Sequence, residues 1–574
     1  MGVILALNPR RRRLYHLATV PVPRVTRRTL LQGAAAGGLS AYLAACGGSS
    51  SKLPPASSGG GPAVSGAVPG PPAGGGVRGG RVVNAFDVEG NGYDPAIAYT
   101  STGWEAICDV LYSPLYSYDT DNSPRPNAAA AMPKVSSDGT VYTIPLRPDV
   151  KFHNGRAVVA ADYKYAWERV LDPKIQSWAA SYIYTIKGAK ELYRRQAQEL
   201  EGVEAVDDHT LRVTLVQPDI TFVYALTQPF MAPVPKEEID RLGANFADTP
   251  VGNGPFKVGT YDSQGQRYVF TRFDDYYWKG LPYLDEVEFR WGIDQSVQLL
   301  MMQRGEVDLM GYGLNAQSLA ETRASDRLKK YRFEQPLLAS RWINTHPRVE
   351  AFRDPRVRQA LNWATDRDQL ERVTGGEAVA WGAPFPKDIL GGKRTFQPYT
   401  LDLDKARSLL SEAGSPQIAF TLWVSDSPEP QVGQVLQQQW KEIGVDVTLK
   451  QASYATINDL SIKDKCDSWV STYYAIYPTA IDVISQYWET GGSANYTHYS
   501  NTDVDRLTTE ARATNDPNAR NALLAQVEQK VGEDAAGVFC ENVNWIMARN
   551  PDRLRNFAYS GVYGAYYDRL WVAT

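Results

Sequence analysis

Histidine and cysteine are scarce in this chain of 574 residues: five His, at positions 16, 153, 209, 346 and 498, and four Cys, at 46, 108, 466 and 540. No HExxH and no paired metal-ligand spacing occurs among them, so no metal site is expected. A CxxC pair and a GxSxG nucleophile elbow are also missing. Gly252-Asn253-Gly254-Pro255 lacks the third glycine of a dinucleotide loop, and Gly391-Gly392-Lys393 lacks the spacing of a P-loop. No cofactor is expected, and no pair of carboxylates is marked out as acid and base; these absences argue against an enzyme. Long apolar runs are lacking too. The nearest, Leu30 to Ala45, has 16 residues, short of the ~20 a bilayer-spanning helix needs.

Acidic residues are absent from positions 1–45, which carry seven Arg. A basic segment followed by a short Ala/Gly-rich apolar stretch reads as an export signal. Arg27 and Arg28, within Thr26-Arg27-Arg28-Thr29-Leu30-Leu31, resemble the twin-arginine signal. Leu43-Ala44-Ala45-Cys46 resembles a bacterial lipobox, with Cys46 the acylated residue and residues 1–46 the signal. Residues 47–80 hold 12 Gly, 6 Pro and 6 Ser, too little apolar surface to offset ordering entropy. They are expected to be a tether of roughly 30 Å reach. Loss of residues 1–45 would take the net charge from −4 to −11. An acidic body disfavours nucleic acid as a partner. The expected location is the extracytoplasmic face of a bacterial membrane, held by the lipid.

The rest of the chain is 43% hydrophobic by overall composition and too long for a single core, which stops growing at about 250–300 residues. Two or more lobes are expected. β-rich stretches at 140–146, 209–215, 268–273 and 445–449 alternate with helix-patterned ones at 161–170, 355–363, 404–413 and 432–443. Asp404 and Gly414 bracket one helix as N-cap and C′ residues. This is an α/β pattern. Asn154-Gly155 closes a turn after a strand, which makes His153 a turn residue.

Six blocks follow one another in order. Ser137-Asp138-Gly139-Thr140 runs through Phe152-His153-Asn154-Gly155 to Tyr165-Ala166-Trp167-Glu168-Arg169; then come Gly252-Asn253-Gly254-Pro255-Phe256, Tyr277-Trp278-Lys279-Gly280 and Gly305-Glu306-Val307-Asp308. Asp354-Pro355-Arg356-Val357-Arg358-Gln359-Ala360-Leu361 and Leu409-Leu410-Ser411-Glu412-Ala413-Gly414 complete the set. Over roughly residues 82–570 this order resembles solute-binding protein family 5, the oligopeptide and dipeptide-binding components of ABC importers. The motifs themselves read as scaffold.

The resemblance implies a periplasmic-binding-protein type II-like α/β fold, two hinged lobes with a smaller inserted domain. Lobe I would comprise 81–121, 230–338 and 545–574, the insert 122–229, and lobe II 339–544. It implies capture of a peptide or similar oligomeric solute by closure, and delivery to permease and ATPase subunits on separate chains. Ligand contacts would come from Thr100, Ser101 and Thr102 on one wall, and from Tyr454, Tyr473, Tyr474 and Ile476 on the other. Peptide binders of the family place an acid where this chain has Ile476. Either Asp467 or Asp482 replaces it, or the ligand lacks a free amine. The 14 Trp and 33 Tyr leave an oligosaccharide as the alternative solute, and an exported hydrolase as the competing class. Nickel or haem would need a His or Cys cluster that the sequence does not show. Cys466 and Cys540 form a disulfide, or the three Cys of the body are buried thiols.

Overall fold

The computed structural model describes residues 76–99, 101–119, 122–311, 313–425, 428–560 and 564–573. Arg27, Arg28, Cys46 and the tether up to residue 75 lie outside them. Three sheets organise the described residues. A five-stranded sheet runs in the order Leu309–Met310, Arg81–Ala85, Glu286–Arg290, Arg267–Arg272, Phe256–Asp262. A four-stranded one runs Lys134–Val135, Val141–Pro145, Thr210–Thr214, Val203–Asp207. The largest, of six strands, runs Ala378–Ala380, Val538–Ala548, Arg332–Thr345, Ser468–Tyr474, Ile418–Val424, Val445–Gln451. No helix among the described residues is long and apolar enough to cross a membrane.

The sequence blocks serve as joints between segments far apart in the chain. Asn253 clasps the backbone of Ser113 in both directions, accepting its N–H at 2.9 Å and donating to its carbonyl at 2.8 Å. A Cβ at Gly252 would sit 2.0 Å from the Leu111 carbonyl oxygen, so only glycine passes. His153 accepts the Gly252 N–H through Nδ1 at 3.1 Å, which leaves Nε2 to donate to the Gly254 carbonyl at 3.1 Å. Burial holds its pKa down at about 3, so the ring stays neutral. Asp308 accepts the Val83 N–H at 3.0 Å and Arg553 Nε at 2.7 Å, fastening the first strand to the last segment.

Helix ends follow local chemistry, with one shift. Asp354 caps Pro355–Trp363, accepting the Arg356 N–H. The helix expected to start at Asp404 is capped two residues earlier: Asp402 is extended and accepts the Lys405 N–H, so Asp404 sits in the first turn of Leu403–Glu412. There its charge complements the helix N-terminus. Gly414 takes φ +85°, as a C′ residue does.

Arg332–Thr345 and Val538–Ala548 are the two long strands of the molecule, and they pair antiparallel at the centre of the six-stranded sheet. Alternation sends Trp342 and Phe539 into an apolar cluster on one face and Ile343, Val538 and Cys540 into another. Between the paired strands, Arg341 faces Glu541 directly; both are buried, and Nη1 lies 2.6 Å from Oε2. Their register breaks between Pro336 and Ser340, where Pro336 has no N–H for the ladder. Cys108, Cys466 and Cys540 are free and buried. Cys466 packs with Ile457 and Trp469 and Cys540 with Ile343 and Val538, in separate clusters, so the disulfide alternative does not hold.

Candidate functional site

Ser468–Tyr474 is a strand rich in aromatic and β-branched side chains, and it lies inside the six-stranded sheet. One edge pairs throughout with Ala339–Thr345. On the other, the parallel pairing with Ile418–Val424 reaches only Ser468 and Trp469. From Val470 to Tyr473, the strand's ladder with its named neighbours is one-sided. Its sequel, Ala475 to Pro478, is turned and held by Asp482. That carboxylate accepts the Ile476 N–H at 2.7 Å, the Tyr477 N–H at 3.2 Å and the Tyr473 hydroxyl at 2.7 Å on Oδ2. Gln486 donates to Oδ1 at 3.0 Å. Burial raises the Asp482 pKa to about 6 despite these four donors.

Asp482 lines a cavity of about 450 Å³ whose walls also include Tyr182, Asp219, Tyr477, Glu489 and Arg512. Arg512 meets Glu489 in a two-pronged pair, both N···O distances 2.7 Å. Burial raises the Asp219 pKa, against the pull of Arg512. The cavity lies where residues between 181 and 225 meet residues between 477 and 493 and Arg512. There Gln228 Nε2 donates to the Ile476 carbonyl at 3.0 Å, and Tyr182 packs edge-on against Tyr477, 5.5 Å between centroids.

Tyr454 begins the helix Tyr454–Ile462, whose cap Ser453 accepts the Thr456 N–H. It exposes 70% of its surface and Tyr99 65%, and the two phenols are close enough to influence one another. Partial burial, then Glu429 and Tyr99, raises the Tyr454 pKa. Tyr487 stands within reach of both Tyr454 and Asp482 and packs against Trp342, 4.8 Å between centroids.

The expected residues divide accordingly. Tyr474, 37% exposed, ends the strand Ser468–Tyr474, and Tyr454 is exposed at the start of its helix. Tyr473 is buried and orients Asp482, and Ile476 contributes backbone groups to Asp482 and Gln228. Thr102 is buried with its hydroxyl donated to the Val88 carbonyl at 2.8 Å, so it braces the wall instead of meeting solute. Ser101 opens the helix Ser101–Asp109, and Thr100 lies outside the described residues. Asp467 is remote from the strand's open end: it accepts the Thr421 N–H at 3.1 Å and faces Arg348 at 3.4 Å. Gln228, Tyr182, Arg512 and Glu489 carried no signal in the sequence, since each acquires its place from a partner more than 20 residues away. The expectation that histidines form no cluster fails: His346 and His498 stack edge-on at 5.6 Å between centroids, with Asp464 beside them. Segments 152 residues apart cannot announce this by spacing.

Residues 123–495 match the family described as bacterial extracellular solute-binding proteins, family 5 Middle. A glutathione-binding protein GsiB of Pectobacterium atrosepticum is 28% identical over 467 residues, covering 79% of this chain and 87% of that protein. Among solved structures, a clavulanic acid biosynthesis oligopeptide binding protein 2 superimposes with TM-score 0.78 at 22% identity, covering 87% of this chain and 96% of the other. The Helicobacter pylori periplasmic binding protein DppA in complex with peptide STSA gives 0.74 at 22% identity, over 87% and 99%.

Proposed function

The chain belongs to the bacterial extracellular solute-binding proteins of family 5, and from that premise we propose that it captures a short peptide outside the cytoplasm and delivers it to the permeases of an ABC importer. The observation that carries the peptide reading is the one-sided ladder of Val470 to Tyr473, with the exposed Tyr454 nearby. A peptide backbone laid along that edge continues the sheet, gaining main-chain hydrogen bonds that are indifferent to its side chains. Tyr454 and Tyr474 supply aromatic surface for those side chains. Asp482, buried beside the edge, receives a cationic group such as the peptide ammonium. The relative named for glutathione and the structures with bound peptide support the same class of solute.

Capture proceeds by closure, not by bond-making. We place lobe I at 81–121, 230–338 and 545–574, the insert at 122–229 and lobe II at 339–544. The hinge is then the pair of strands Arg332–Thr345 and Val538–Ala548, at the register break after Pro336. The Gln228 to Ile476 bond then runs between the insert and lobe II, and solute bridging both sides shifts the population toward the closed state.

A set of short peptides titrated by calorimetry tests this reading. Binding of one or more, without hydrolysis, is expected. Tyr454→Ala should weaken it by about tenfold, the worth of one stacked aromatic at ~1.5 kcal/mol. Failure of every peptide while a sugar oligomer binds would replace the reading with the oligosaccharide one. Arg27, Arg28 and Cys46 complete the proposal as twin-arginine export and lipid anchoring. Cys46→Ser is expected to release the protein from the membrane fraction of the bacterium that makes it.

A further inference from the structure

His346 follows directly on the long strand Arg332–Thr345, Asp464 lies in the turn after helix Tyr454–Ile462, and His498 sits in the loop before helix Thr502–Ala513. None of the three lines the cavity. His498 Nε2 stands 2.7 Å from Asp464 Oδ1 and His346 Nε2 stands 3.2 Å from the same oxygen. All three donor atoms fall within 4.8 Å of one another. We propose that this trio binds a divalent transition-metal ion of the zinc type, on the six-stranded-sheet half of the molecule and apart from the solute cleft.

Two imidazoles and one carboxylate are a donor set that zinc and its first-row neighbours prefer, with water completing the coordination. An ion ~2.0–2.1 Å from each ligand holds them about 3–3.5 Å apart, close to the spacing already present. Asp464 and His498 are exposed, so an ion has a path in, while His346 is buried and forms the floor. Burial lowers the His346 pKa, which keeps its ring neutral and able to ligate. Two of the three residues, Asp464 at φ +55° and His498 at φ +56°, hold a left-handed backbone that side chains rarely adopt. In the ion-free state His346 Nδ1 accepts the Arg348 N–H at 3.0 Å, so the ring proton is on Nε2. Entry of the ion moves that proton to Nδ1, and the bond from Arg348 and those between Asp464 and the two imidazoles are exchanged for three metal–ligand bonds. The ion then ties together three loops, one of which leads into the strand Ser468–Tyr474.

Untagged full-length protein titrated with Zn²⁺ by calorimetry is expected to take up one ion per chain, more weakly in acid, where protons compete with the ion for the ligand atoms. Asp464→Asn and His498→Asn, which both suit a left-handed backbone, should each weaken Zn²⁺ binding by about 100-fold or more. The same ion should raise the melting temperature of the parent and of neither variant. Saturable binding absent from the parent, or unchanged in both variants, would overturn the site and leave the trio a hydrogen-bonded latch.

Discussion

Glu541→Ala is expected to destabilise the protein by about 3–5 kcal/mol, the cost of leaving a buried arginine without its partner. Arg341 is 3% exposed at its side chain and Glu541 0%. Burial alone would pull the Arg341 guanidinium down, and the facing carboxylate reverses this and raises it. Arg341 Nε also donates to Thr472 Oγ1 at 3.2 Å, and Thr374 donates to Glu541 Oε1 at 3.3 Å. The pair therefore links both long strands to the middle of the strand with the open edge. Chemical denaturation followed by tryptophan fluorescence measures the loss. The double change Arg341→Met with Glu541→Leu should recover most of it, because a matched apolar pair leaves no buried charge. A single change costing under about 1 kcal/mol, the worth of an exposed pair, would show that water reaches this site.

Asp482→Asn is expected to weaken binding of a peptide with a free ammonium by roughly 30-fold or more, the equivalent of losing at least ~2 kcal/mol from a buried charge pair. An N-acetylated version of the same peptide should bind parent and variant alike. That comparison separates a ligand contact from the carboxylate's part in holding Ile476 and Tyr477, which both peptides need. Equal loss for both peptides would assign Asp482 to scaffold only. The pH dependence has a definite sign. Because burial raises Asp482 to about 6, the free protein carries a proton there below that pH, and a cationic ligand must displace it. Affinity should be flat above pH 6 and fall about tenfold per pH unit below it, with the slope lost in the variant. For the unliganded protein the sign is opposite. The folded state binds this proton more tightly than the unfolded one, so the group's contribution favours folding in acid and fades as pH rises through 6.

Much of the scaffold is legible in the sequence. Asn154-Gly155, Gly252-Asn253-Gly254 and Asp354-Pro355 owe their conformations to forces acting over a few residues, so their types name the turn or cap directly. Even the misplaced cap erred by two residues only: Asp402 and Asp404 are equally able to accept an amide, and the backbone entry angle chose between them. The site was less legible. Tyr454 and Tyr474 are exposed, as ligand contacts must be, whereas Thr102 is buried with its hydroxyl committed to Val88. Asp482 was one of two acids that sequence left open. Only the fold separates it from Asp467, by the donors each one meets.

The sequence by itself determined the family and its scaffold, because both rest on order and on short-range conformational preference. Tertiary structure alone decided where a strand's ladder stops at Trp469, which carboxylate turns toward the cavity, and that His346, Asp464 and His498 converge. Those outcomes depend on distances between segments more than a hundred residues apart in some cases, and such distances are set by the packing of sheets and cores rather than by any local run of residues.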